Sequence, residues 1–196
     1  MSKKMSVITK IIRVLTIPPI MALILLVTLF VNRPEFFGSP LLFGLAVFFI
    51  SVLPVLAYPL QPIVPGFKDK GREGQRSLAM VFSVLGYLLG CLTNLFMSAP
   101  MKLWLVYLVY LISGIFIAIF NKLFHLRASG HACGIMGPIA FLLYSNIAFA
   151  VAGFIVYIAA LWASIKMKRH TLPQFIGGAA IPVVALFVLV TVFKFV

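Results

Sequence analysis

Three histidines, three carboxylates and 16 lysines and arginines carry the charge in this 196-residue chain. Most of them gather in three short clusters. The first is Lys68-Asp69-Lys70-Gly71-Arg72-Glu73-Gly74-Gln75-Arg76, the second is Arg127-Ala128-Ser129-Gly130-His131, and the third is Lys166-Met167-Lys168-Arg169-His170-Thr171-Leu172-Pro173-Gln174. A Ser-Gly-His at a helix start offers a hydroxyl, a flexible backbone amide and an imidazole beside the positive end of a helix dipole. That set suits a phosphate oxygen. Basic side chains add charge-assisted hydrogen bonds, arginine with the better geometry. Two imidazoles brought to one phosphate can divide the work as nucleophile and general acid. Metal chemistry lacks comparable support, since three histidines with no His-x-x-x-His pair and no carboxylate cluster do not form a ligand set. No cofactor is expected. Each cluster also has an ordinary reading, because cationic loops beside membrane spans commonly serve as anchors.

The elements that must position these clusters are apolar helices. Of the residues, 63% are hydrophobic and 10% charged, and the mean hydropathy is +1.18. A soluble domain carries roughly a quarter of its residues charged, so a soluble globular protein is excluded. Cys91 and Cys133 sit in apolar runs and read as small core residues, not as a disulfide. Runs of membrane-crossing length, about 17–25 residues, occupy residues 14–31, 41–60, 78–97, 103–120 and 174–193. Pro18 and Pro19 predict a kink or a late helix start in the first run. Lys3, Lys4, Lys10 and Arg13 precede it, but no small-residue cleavage signal follows, so it reads as an uncleaved span. Residues 132–165 would form a single helix of roughly 51 Å, too long for a hydrocarbon layer of about 30 Å. They are expected to fold as a hairpin of two helices, 132–145 and 147–166, turning at Ser145-Asn146.

The expected fold is therefore all-α, a polytopic membrane bundle of about seven transmembrane helices forming one integral membrane domain over residues 1–196. Seven spans place the N-terminus and all three clusters on one side, leaving Arg33, Lys102 and Lys194 on the other. The positive-inside rule makes the cluster side cytoplasmic. The expected location is a bacterial or archaeal cell membrane. A net charge of +13 points to anionic partners. Nucleic acid is disfavoured because most cations border membrane-length apolar runs, leaving the lipid bilayer and a lipid phosphate; the oligomeric state is open. The spans hold essentially no ionisable residues, which argues against a transporter.

In order, the three clusters resemble the type 2 phosphatidic acid phosphatase superfamily, whose pattern runs Lys-x6-Arg-Pro, Pro-Ser-Gly-His, Ser-Arg-x5-His-x3-Asp. The resemblance covers roughly residues 68–182, with residues 1–67 as additional N-terminal spans. It implies a membrane lipid phosphatase working through a phosphohistidine, with His170 as nucleophile, His131 as acid/base, and Ser129 with Gly130 cradling the phosphate. Arg76 fits the first motif's arginine; Lys68, Lys70 or Arg72 must stand in for its lysine, and Lys166, Lys168, Arg169 or Arg127 for the last motif's arginine in binding phosphate. The chain departs from the pattern at five positions: Ala128 and Ser77 stand where proline is expected, Asp69 where lysine is, Ser164 where the last motif's arginine is, and Gln174 where its aspartate is. Gln174 can still accept a hydrogen bond from the His170 ring, but it cannot offset the positive charge that develops there. The implied substrate is phosphatidic acid, phosphatidylglycerol phosphate or a polyprenyl diphosphate. The departures leave open a second reading, a catalytically weak or inactive lipid-phosphate binder of the same fold.

Overall fold

A computed structural model describes residues 3–145 and 147–193. Asn146, half of the expected hairpin turn, and Lys194 therefore lie outside the described residues. The chain is helical throughout, with no strand among the described residues. Helix α1 is Lys3–Leu15 and α2 is Pro18–Asn32. Next come α3 (Pro40–Val47), a π-helical turn (Phe48–Val52) and α4 (Leu53–Leu60), running on as one segment. Helices α5 (Gly71–Phe96), α6 (Met101–Lys122), α7 (Gly130–Tyr144), α8 (Phe149–Lys166) and α9 (Leu172–Phe193) complete the bundle.

Five stretches are long and apolar enough to cross a bilayer: Pro40–Leu60, Lys68–Phe96, Met101–Lys122, Phe149–Lys166 and Leu172–Phe193. A sixth is added if Val7–Leu15 and Pro18–Asn32, bent by 47°, count as one broken span. Helix α7 falls short of a seventh, because its 15 residues rise only about 22 Å. The bend between α1 and α2 follows from Pro18, which lacks the N–H that would continue the helix and pushes Ile17 into extended backbone (φ −62°, ψ 146°). One expected boundary moves. The apolar run of the third span starts at residue 78, but α5 begins at Gly71, so Arg72 and Arg76 ride on its first turns and not on a loop. Buried Gln61 makes this possible by donating to the carbonyls of Phe67 (2.6 Å) and Lys68 (3.0 Å), which folds the chain tightly ahead of α5.

Helix α7 lies at the centre, packed against α2, α6, α8 and α9. Its apolar side chains are buried on nearly every face, including Ile135, Ile139 and Phe141 at 0–1% exposure. That is the pattern of an interior helix. Three close backbone approaches seat the surrounding elements. A Cβ on Gly134 would lie 2.5 Å from Pro18, one on Gly86 would meet the Phe49 carbonyl, and one on Gly178 would meet the Ser129 carbonyl and amide. The Gly177-Gly178 pair thus divides its work, since nothing lies within 4 Å of a Cβ on Gly177. This contrast gives a direct test. Gly178→Ala should destabilise the detergent-solubilised protein by about 1–3 kcal/mol, because a backbone must move. Gly177→Ala should leave its thermal unfolding midpoint unchanged or slightly raised.

Candidate active site

The hairpin of α7 and α8 brings two distant histidines to one end of the bundle. His131 lies in the first turn of α7, and His170 in the short connection after α8. Both line a small cleft, together with Arg13, Ala160, Ala163, Ser164 and Arg169. The cleft encloses about 260 Å³, part of it open to solvent. That is below the roughly 300–1,000 Å³ of sites that enclose a drug-sized ligand. It suits one small group whose remainder stays outside. The space left free by side chains holds about one water, so an entering anion must displace the flexible ends of Arg13 and Arg169.

Local capping explains how the two histidines are held. Ser129 is the N-cap of α7, and its Oγ accepts from the Ala132 amide at 3.2 Å. The Ser129 amide donates to the Gln174 carbonyl at 3.0 Å, tying the start of α7 to the start of α9. Gln174 Oε1 accepts from the Thr171 amide at 3.1 Å, the reach-back half of a capping box at the α9 N-terminus. The loops between these caps hold non-glycine residues at positive φ: His125 (54°), Arg127 (51°) and Lys168 (52°). Such backbone persists only where its surroundings fix it, and it is common at functional sites.

His131 is further fixed from α1. Thr16 Oγ1 donates to the Ile12 carbonyl at 2.8 Å, so its lone pair accepts from His131 Nε2–H at 2.9 Å. This network assigns the proton to Nε2 and leaves Nδ1 as the basic atom. Burial pulls the imidazole down to about 4, and the charges of Arg13 and then His170 act in the same direction. His170 is also held below its ordinary value, by burial first and by Arg76 next; the Arg127 carbonyl and Gln174 act the other way. Its Nδ1 is buried without a hydrogen-bond partner.

The expected site residues divide into three groups. His131, His170 and Arg169 line the cleft. Arg76 and Arg72 stand close enough for their charges to act on its members, and Arg127 turns its backbone carbonyl toward His170. Ser129 is 0% exposed, caps α7 and is not among the residues that line the cleft, and the neighbouring Gly130 is exposed and likewise not among them. Lys166 ends α8 as an exposed residue and is not among the lining side chains. Gln174 has a structural employment in the α9 cap besides its proximity to His170. Sequence reasoning missed Arg13 and Thr16, which it read as part of a charged flank and of a span.

The electrostatic balance is one-sided. Among the described residues, the ion pair is Lys102 to Glu35 at 3.5 Å, between the α6 start and the turn after α2, away from the cleft. The charges of Arg169, Arg76 and Arg72 therefore act on Arg13, with no carboxylate paired to any of the four among the described residues. Such a field attracts an anion. Comparison with known proteins gives no match, whether to family models, curated proteins or solved structures.

A bound anion should reverse the depression of both histidines, because a negative charge favours the imidazolium. Both are neutral at pH 7 in the empty cleft, so binding must take up protons, and affinity must rise as pH falls. Sulfate is the useful probe, since its own charge is constant over this range. Calorimetry should show proton uptake on sulfate binding and tighter binding at pH 5.5 than at pH 8. Affinity that is flat with pH would contradict the arrangement.

Proposed function

We propose that the protein hydrolyses a phosphomonoester or diphosphate carried by a membrane lipid, at the bilayer surface, through a phosphohistidine. One observation carries this reading: His131 and His170 share a small cleft with unpaired guanidiniums at the end of an apolar bundle. A cleft too small for a whole lipid, in a protein with five or six helices fit to cross a bilayer, suits a headgroup phosphate whose chains stay in the membrane. The motif order that resembles the type 2 phosphatidic acid phosphatases points the same way.

In this reaction a neutral His170 nitrogen attacks phosphorus, forming an N–P bond as the bond to the lipid oxygen breaks. His131, protonated once the phosphate has raised its affinity for a proton, delivers that proton to the leaving oxygen. The arginines hold the phosphoryl oxygens and balance their charge as it redistributes. Water then attacks the phosphohistidine, gives a proton to His131 and releases inorganic phosphate. The depressed value of His131 has a use here, because the acid is loaded mainly when substrate is present.

The sevenfold span count belongs to this reading as well, with α7 and α8 as a hairpin dipping into the bilayer and returning. The excess of cations at the cleft end favours a cytoplasmic site. A second reading, a lipid-phosphate binder without turnover, is favoured by one specific observation. Gln174 Oε1 is engaged with Thr171, and among the described residues no carboxylate pairs with the His170 ring.

Phosphate release from a panel of lipid phosphates in detergent separates the two. His170→Ala and His131→Ala should each lower turnover by at least about 10³-fold, in line with loss of a nucleophile or acid. A 32P-labelled lipid should leave acid-labile label on the wild type and none on His170→Ala. Wild-type protein that binds lipid phosphate but acquires no label would establish the binder.

A further inference from the structure

Helix α1 has the composition of a membrane-surface helix. Val7, Ile8, Ile11, Val14 and Leu15 are all more than 40% exposed, although Lys10 and Arg13 share the same three turns. An arginine on such a helix ordinarily extends its guanidinium to the headgroup water, away from other cations. Arg13 does the opposite. It is only partly exposed and lines the cleft beside His131 and His170, within reach of the repelling charges of Arg169, Arg76 and Arg72.

Its position is built, not incidental. The proline-imposed bend after Leu15 brings α1 into contact with α8. One turn from Arg13, Thr16 is locked to both Ile12 and His131. The α8 residues that line the cleft opposite Arg13 are Ala160, Ala163 and Ser164, two methyl groups and one short hydroxyl. Small side chains there leave room for a guanidinium arriving from another helix, and none of them can supply a charge.

From these contacts we propose that Arg13 is a direct ligand of the substrate phosphate, delivered by the N-terminal helix into the space that Ser164 leaves open on α8. The inference rests on the reading of the cleft as a phosphate site and adds to it a residue from outside the three clusters. Helix α1 then belongs to the binding machinery, and its charge is not there solely to orient the chain. Arginine is suited to the role because its planar fork can pair two phosphoryl oxygens at once, which lysine cannot do.

The experiment measures binding of inorganic phosphate and lipid phosphate hydrolysis side by side on the full-length protein in detergent. Arg13→Ala should weaken phosphate binding by about tenfold or more and lower kcat/KM at least as much. Arg13→Lys should recover only part of the loss. Lys10→Ala, on the same helix but outside the cleft, should match the wild type and so control for membrane-surface charge. The double variant Arg13→Ala with Ser164→Arg should regain phosphate binding, since it returns a guanidinium to the same space from α8. Thermal unfolding without phosphate identifies any variant that is merely misfolded, and in that case Arg13→Lys decides. Wild-type binding with an unchanged Arg13→Ala or Arg13→Lys overturns the proposal while leaving the phosphate site standing. Absence of phosphate binding in the wild type overturns both.

Discussion

The crowding of unneutralised positive charge onto Arg13 and two histidines is the constraint around which the cleft end of this protein is organised. Arg13, Arg72, Arg76 and Arg169 come from three different parts of the chain, and none has a carboxylate partner among the described residues. Left alone, like charges at a partly desolvated site separate or draw in counter-ions. Here burial and the neighbouring positive charges hold both histidines below their ordinary values, so they stay neutral at pH 7. An anion entering the cleft would offset the charges that act on Arg13 and raise the affinity of both histidines for a proton.

The scaffold tolerates this because the rest of it is conventional. An interior helix, α7, presents its N-terminus to the cleft and buries its remaining length among α2, α6, α8 and α9. Glycines at 134 and 178 let the neighbouring backbones close on it. Caps from Ser129 and from the Thr171–Gln174 pair tie the two helix starts together through the Ser129 to Gln174 backbone bond. Moving any of these would shift a histidine relative to the arginines, although none of them is among the side chains that line the cleft.

Much of the architecture was legible in the sequence, and the reasons differ by element. The long apolar runs, the break at Pro18 and the hairpin were readable because span length and proline stereochemistry are local properties. The meeting of His131 and His170 was readable for a topological reason: 34 apolar residues cannot cross a bilayer once in a straight line. Arg13 was not readable, because its approach to His131 depends on the angle between α1 and α2 and on how α1 lies over α8. No spacing within the sequence encodes that angle. Ser129 and Gln174 carry a second employment that the sequence also encodes. Their patterns, Ser followed by Gly-His-Ala and Thr-Leu-Pro-Gln, are also helix-start signals, and the capping employment competed with the chemical one for the same side-chain atoms. The start of α5 was placed late because charge in its first turns was read as loop, while Gln61, seven residues before Lys68, supplied the tight fold that lets the helix begin at Gly71.

The central claim is that one anion is shared by two imidazoles and the arginines around them. A structure of the protein with tungstate, whose heavy atom identifies itself, tests this most directly. The account predicts a single tungstate in the cleft, within hydrogen-bonding distance of Arg13 and Arg169 and lying between His131 and His170. Tungstate bound elsewhere, or a cleft in which the two histidines stand apart with no anion between them, would contradict it.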